Sequence, residues 1–255
     1  MRTGLKLWST NDFFLKEAQS LFDKGIFDYI ELFTVPDSEE FIGCWKNAGI
    51  PFILHAPHSL AGLNPADKTT RTENLKMFAL AEEYRKALNP EFIIFHPGLD
   101  GTADEAVSQF SSAFDKFEEI KKIAVLENKP AIGINGEKCV GSLPEEIKFI
   151  TGSVNIDFCL DIGHCICAAN SMRIPPFSLI REFLELDPVL FHLSDGDFSS
   201  ETDAHLNYGE GTYPIREILK MLPDNPTVTV ETEKKSFSSL NSFVRDAEFL
   251  KNLNI

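Results

Sequence analysis

All six histidines of this chain lie at or just after the end of a short apolar run. The runs read Phe52-Ile53-Leu54-His55-Ala56-Pro57-His58, Ile93-Ile94-Phe95-His96-Pro97-Gly98, Leu160-Asp161-Ile162-Gly163-His164, Leu190-Phe191-His192 and Asp203-Ala204-His205. Two glutamates end runs in the same way, in Ile123-Ala124-Val125-Leu126-Glu127 and Val228-Thr229-Val230-Glu231. Histidine and carboxylate together are the nitrogen and oxygen donors that zinc takes, and a catalytic zinc keeps one position open. A carboxylate can also bridge two ions, which then clamp both oxygens of a phosphoryl displacement. Unpaired buried carboxylates are costly, and few cations stand near these in the sequence, so metal ions are expected to neutralise them. The spacing Asp161-x-x-His164 lets a strand-end Asp and a loop His reach adjacent ions. In Asp203-x-His205 the period of two puts both side chains on one side of an extended segment.

The elements that must position these groups alternate regularly. Apolar runs predict strands near Leu5–Trp8, Tyr29–Phe33, Phe52–His55, Phe92–His96, Ile123–Glu127, Phe158–Asp161, Leu190–Leu193 and Thr227–Thr232. Amphipathic patterns predict helices near Asp12–Lys24, Ser38–Asn47, Arg71–Leu88, Asp104–Lys121, Pro144–Ile150, Phe177–Leu186, Ile215–Leu222 and Ser238–Asn252. Phe92-Ile93-Ile94-Phe95 is continuously apolar, as in a strand covered on both faces. Eight such units in 255 residues match one (β/α)8 TIM-barrel domain over 1–255, whose active site lies at the C-terminal strand ends. An open doubly wound sheet is the runner-up. It would carry a Gly-rich turn after the first strand, and Trp8-Ser9-Thr10-Asn11 is not one.

Composition narrows the class. With 43% hydrophobic residues the chain supports one large core. No run approaches the roughly 20 apolar residues of a membrane span, and the N-terminal residues lack a signal-peptide pattern. Together with five cysteines, these features predict a cytoplasmic chain with reduced thiols. Acidic residues outnumber basic ones 39 to 24, for a net charge of -15. That balance disfavours a partner bound through its phosphate backbone.

The strings HAPHS, FHPG, LEN, CLDIGH, FHLSD, DAHLNYGEG and VETE resemble, in order and spacing, the signatures of the endonuclease IV family. These are zinc-dependent abasic-site endonucleases on a TIM barrel, within the xylose isomerase-like superfamily. The resemblance runs from the third strand onward and implies up to three zinc ions. His55, His96 and Glu127 would hold the first. Glu127 would bridge to a second, completed by Asp161, His192 and Glu231, and His164, Asp203 and His205 would hold the third. Glu127 and Glu231 are the implied catalytic carboxylates, Glu231 orienting or deprotonating the attacking water.

Two departures stand out. Family members carry an Arg-containing loop after the second strand and a Tyr-Leu pair after the third, both of which push into damaged DNA. Here the first loop reads Thr34-Val35-Pro36-Asp37-Ser38-Glu39-Glu40, and the second has His58-Ser59. The expected activity is therefore hydrolysis of a phosphoester, in a small molecule or in abasic DNA. The alternative is a sugar or sugar-phosphate isomerase or epimerase. It would use a single Mn2+ or Mg2+ on Glu127, Asp161, His192 and Glu231, and the GSLPEEI segment resembles such relatives. A metal-binding protein without catalysis is the third class. His58, Lys138 and Arg173 are candidate substrate contacts, set against solvated surface. Asp195 is expected either to orient His192 or to cap its loop. Cys159, Cys165 and Cys167 are expected to pack rather than ligate, and Phe33 and Phe198 are candidate pocket walls.

Overall fold

The computed structural model describes residues 1–253. Its strands are β1 (Arg2–Trp8), β2 (Tyr29–Phe33), β3 (Phe52–His55), β4 (Ile93–Phe95), β5 (Ala124–Glu127), β6 (Asp157–Asp161), β7 (Leu190–Leu193) and β8 (Thr227–Val230). They form a closed parallel barrel in sequence order. Closure runs through β1 and β8, from Arg2↔Thr227 to Leu5↔Val230, so the chain is a TIM barrel and the open sheet is excluded.

The covering helices are α1 (Leu15–Asp23), α2 (Ile42–Lys46), α3 (Arg71–Leu88), α4 (Ala103–Phe114), α5 (Glu118–Lys121), α6 (Pro144–Val154), α7 (Ile162–Met172), α8 (Pro176–Leu184), α9 (Ile215–Leu219) and α10 (Asn241–Asn252). The single helix expected over Asp104–Lys121 is broken between α4 and α5. Helix α7 has no counterpart among the predicted helices, because its sequence IGHCICAANSM offers no polar stripe. Eight of its residues are buried, and a helix that is apolar all round reads in sequence like a strand or a loop. Among the described residues no helix is long and apolar enough to cross a membrane.

The barrel separates two cores. The larger lies between strands and helices. The smaller, inside the barrel, is Tyr29, Ile53, Ile94, Val125, Cys159 and Leu190, one residue from each of β2 to β7. Side chains alternate along a strand with period two, so the next inward positions are Glu31, His55, His96, Glu127, Asp161 and His192. On β1 and β8 the same step leads from Gly4 to Lys6 and from Thr229 to Glu231. An apolar plug thus closes the bottom of the barrel, and an ionisable ring sits directly above it.

Tyr29 fills the plug at β1, where its hydroxyl lies 2.9 Å from Thr229 Oγ1. A Cβ on Gly4 would fall 2.3 Å from that ring. Gly4→Ala is expected to lower stability by about 1–3 kcal/mol through overpacking, read as a shift in urea midpoint. Gly43→Ala, where a Cβ meets nothing within 4 Å, should be close to neutral. Equal midpoints for the two variants would refute the plug.

Candidate metal centre

Five candidate ligands, His55, Glu127, Asp161, His192 and Glu231, sit on the last strand residue or beside it, and all but Glu231 are buried. His96 follows β4 directly. Asn128 locks two of the strand ends together. Its side chain accepts from Asp161 N at 2.7 Å and donates to Asp161 O at 2.9 Å. His164 is on the first turn of α7, not in a loop as expected, and Asp161 caps that helix by accepting from His164 N at 2.6 Å. Asp203 and His205 come from the long loop after β7. The expected extended segment is absent there, since His205 has a left-handed backbone with φ 47°. Both side chains still reach the centre, with His205 Nε2 3.6 Å from Asp203 Oδ2.

Potential ligand atoms fall into overlapping groups, each within 4.8 Å: His55, His96 and Glu127; Asp161, His192 and Glu231; His164, Asp203 and His205; and Glu127, Asp161 and His164. Hydrogen bonds decide what the histidines present to one another. His55 Nδ1–H donates to the Ala56 carbonyl at 2.8 Å, so Nε2 faces Glu127 Oε2 at 3.1 Å with a lone pair. His164 Nδ1–H donates to the Asn128 carbonyl at 2.9 Å, and His205 Nδ1–H to the Glu231 carbonyl at 3.0 Å. The ring nitrogens left over point at Asp203 Oδ2, from 3.8 and 3.6 Å. Lone pairs aimed at carboxylate oxygens across such gaps are what a cation joins, and outer partners that fix the tautomer are typical of metal ligands. Among the described residues, the buried side-chain atoms without a hydrogen-bond partner include His192 Nδ1, Asp203 Oδ2 and Glu231 Oε2, all in this cluster. The residues present therefore fit divalent metal.

The electrostatics of the side chains alone are in conflict. Burial pushes the Asp161 carboxyl up to about 6, and repulsion from Asp203, Glu127 and Glu231 adds to it. Burial likewise opposes charge on Glu127, but His96 and His192 hold it well below the usual carboxylate range. Burial disfavours the His192 imidazolium, and surrounding acids including Glu31 and Glu231 outweigh it and raise its pKa. Metal binding would displace such protons.

Two participants are missing from the candidates that the sequence offers. Lys6 and Glu31 read there as charged residues inside apolar strands, and their one signal is that Leu5-Lys6-Leu7 and Ile30-Glu31-Leu32 break an otherwise buried pattern. Glu31 is fully buried. It accepts from Lys6 Nζ at 2.5 Å, from Thr229 Oγ1 at 2.6 Å and from His192 Nε2 at 2.9 Å. That last bond fixes His192 with Nδ1 toward Glu231, Asp161 and Glu127. Lys6 also lies 3.0 Å from Glu231 Oε1, leaving Oε2 on the side of His192 Nδ1, 2.8 Å away. Strand β1 thus supplies one cation that the sequence alone does not assign to the carboxylates.

Above the ring opens a cavity of about 580 Å³, lined by His55, His96, Glu127, His164, Asp203, His205 and Glu231 and by residues nearer its mouth. His58 lines it, stacked near His96 with ring centroids 6.1 Å apart. Burial, aided by neighbouring His55 and Lys129, lowers its pKa to about 4 and keeps it neutral. Lys138 and Arg173 do not line the cavity. Arg173 is the C-cap of α7, at the far end of a helix that starts at the mouth and carries it about 15 Å away. The acidic loop after β2 lies outside too; it packs down through Ser38, whose hydroxyl contacts Ser9 and Tyr84. Asp195 caps its loop, accepting from the backbone of Gly196, Gly209, Gly211 and Tyr213, while Glu31 orients His192. Phe33 lines the cavity; Phe198 instead packs on Phe177 and Tyr213. Cys159, Cys165 and Cys167 are buried and outside every ligand group, with burial raising all three thiol pKa values.

Comparison with known proteins agrees with this architecture. Residues 21–253 match the family profile described as Xylose isomerase-like TIM barrel. A probable endonuclease 4 from Thermoplasma volcanium is 28% identical over 178 residues, covering 66% of this chain and 61% of that protein. The chain therefore spans under two thirds of the length of that relative. The crystal structure of a D-tagatose 3-epimerase-like protein superimposes with a TM-score of 0.70 at 21% identity, covering 100% of this chain and 97% of the other. Endonuclease IV from Thermus thermophilus superimposes with a TM-score of 0.69 at 17% identity, covering 100% and 99%.

Removing the Lys6 ammonium leaves two carboxylates uncompensated. Lys6→Met is expected to lower the stability of the metal-free protein by about 3–5 kcal/mol, the range for breaking a buried pair from one side. Lys6→Met with Glu31→Gln should recover part of the loss. Urea unfolding measures both, and a single variant within about 1 kcal/mol of the parent, small for a broken buried pair, would contradict the network.

Proposed function

The chain belongs to the xylose isomerase-like TIM barrel family, and from that premise we propose that it is a multinuclear zinc hydrolase of phosphoester bonds. The observation that carries this reading is the gathering of nine side chains into overlapping ligand groups that include the triads His55/His96/Glu127, Asp161/His192/Glu231 and His164/Asp203/His205, seven of the nine lining one cavity. One ion would leave at least five of these donors without a task. When bound, zinc supplies Lewis acidity to the phosphoryl oxygens and lowers the pKa of water.

The side chains divide the remaining work. Glu127 turns Oε2 to His55 and His96 and belongs to two ligand groups, one with His55 and His96 and one with Asp161 and His164, which suits a bridging carboxylate. Glu231 has Oε1 engaged by Lys6 and turns Oε2 toward His192 Nδ1, 2.8 Å away with no hydrogen bond formed, and at the cavity wall it is the group assigned to orient the attacking water and take its proton. Hydrolysis forms a bond from the water oxygen to phosphorus and breaks one ester P–O bond, whose oxygen leaves with a proton. His58 stays neutral and meets the substrate from the side of β3. The cations lining the cavity are Lys6, Lys129 and Lys234, with no arginine. Lys6 is held by Glu31 and Glu231, and the two that remain are meagre for a nucleic-acid backbone, so a small phosphoester is favoured over abasic DNA.

A single-metal sugar isomerase or epimerase is the second reading, supported by Glu127 and Glu231 flanking Asp161 and His192 in one contiguous arc of strand ends. Metal content per chain, with protein prepared without chelator, separates the two. Close to three zinc ions per chain is expected, with Glu127→Gln inactive on small phosphodiesters. His205→Ala should lose about 100-fold or more in kcat/KM, at or beyond the upper end of losses from outer-shell partners of a metal. A single manganese, magnesium or cobalt ion, with near-parental turnover in His205→Ala, would overturn the hydrolase in favour of the isomerase.

A further inference from the structure

Nine large hydrophobic residues are exposed among the described residues, and six of them line this one cavity. They are Trp8, Phe13, Leu60, Ile132, Ile134 and Phe237. They come from the end of β1 and the segments after β1, β3, β5 and β8, so they stand at the mouth. Exposure is extreme at Ile134, 84%, and Phe237, 91%. Single exposed apolar residues are ordinary, but a contiguous group marks an interaction site.

Two further features suit this ring to a flat ligand. An aromatic wall runs from rim to floor. Trp8 lies 5.9 Å from Phe33, and Phe33 lies 5.2 Å from His58 and 5.4 Å from His55 between ring centroids. The β5 segment is also built rather than loose. Ile132 pairs with Lys138 in an antiparallel bridge, Gly133 N donates to the Glu137 carbonyl at 2.8 Å, and the Glu137 carboxylate accepts from Asn135 N at 2.9 Å. Ile132 and Ile134 are therefore held out over the opening. Beneath them, at the floor, are the candidate ligands and Lys6, and Lys129 and Lys234 also line the cavity. A volume of about 580 Å³ falls within the usual range for small-molecule sites.

We infer that the substrate is amphipathic: a small phosphoester whose phosphoryl group rests on the ligand floor and whose aromatic or similarly flat apolar substituent is gripped by the rim. This assignment rests on the phosphoester reading of the floor. A rim of aromatic and aliphatic side chains removes apolar surface of the ligand from water, whereas a sugar phosphate would leave those side chains without a partner.

The test uses the zinc-loaded full chain and two ligands that cannot be hydrolysed, phenylphosphonate and methylphosphonate. They share the anionic head and differ by the ring. Affinities come from calorimetry and from Trp8 emission, Trp45 being fully buried. Phenylphosphonate should bind at least tenfold tighter. The double variant Ile134→Ser/Phe237→Ser should cut that ratio to threefold or less. Phe149→Ser, an exposed phenylalanine outside the cavity, should keep it. Equal affinities, or a ratio unchanged in the double variant, would overturn the rim assignment while methylphosphonate binding left the phosphoester floor standing. If neither phosphonate binds, the phosphoester reading fails and this inference fails with it. A Trp8 emission shift that depends on protein concentration in the absence of ligand would assign the rim to a second copy of the chain and overturn the inference.

Discussion

The structure turns on the crowding of ionisable side chains in a largely buried ring inside the barrel. Parallel strands alternate inward and outward with period two, and the inward position above the apolar plug is ionisable on every strand. Lys6, Glu31, His55, His96, Glu127, Asp161, His192 and Glu231 therefore meet across the width of a barrel. Four of these are carboxylates, and Asp203 enters from above. Carboxylates in such a space are tolerated only if cations share it. One cation is built in, on β1. The orphaned atoms of His192, Asp203 and Glu231 mark where the rest of the compensation belongs.

The ring also explains the division between ligands and supports. Glu31, deepest of the acids, has all its hydrogen bonds inside the protein, from Lys6, Thr229 and His192. It has nothing left to offer an ion and instead aims His192. Asn128 does the same for Asp161 and His164 through one side chain and one carbonyl. Above them the loop after β7 is tied down by Asp195, whose carboxylate collects four backbone N–H groups. That brace lets a loop, rather than a strand, deliver Asp203 and His205 to a fixed place. Polar contacts around the ring thus hold donors in position before any ion arrives, which is what a precise site requires.

Vertical layering follows from the same geometry. The plug excludes water from below, the ring supplies the chemistry, and the cavity above widens into an apolar mouth. Each layer lies two or three residues further along the chain than the one beneath. The change from Ile53 to His55 to His58, or from Tyr29 to Glu31 to Phe33, records the whole section of the barrel in a few positions.

The architecture and most of the ring were legible in the amino-acid order. Apolar strands separated by helical stretches, six of them (β3 to β8) with His, Asp or Glu at or beside the end, carry both signals locally, because strand burial and strand-end position are properties of adjacent residues. What depends on contacts across the barrel was not legible there. Lys6 and Glu31 look like isolated charges in two strands far apart from β8, and only closure of β1 onto β2 and β8 makes them partners of Glu231 and Thr229. Helix α7 has no amphipathic period because it is buried on all sides, so its place next to Asp161 had to come from packing. Arg173 and Lys138, near the ligands in sequence, are directed away by a helix axis and a hairpin. The apolar mouth was invisible in sequence, since Trp8 ends β1 while Leu60, Ile134 and Phe237 belong to separate connections, and only the folded barrel brings them to one end.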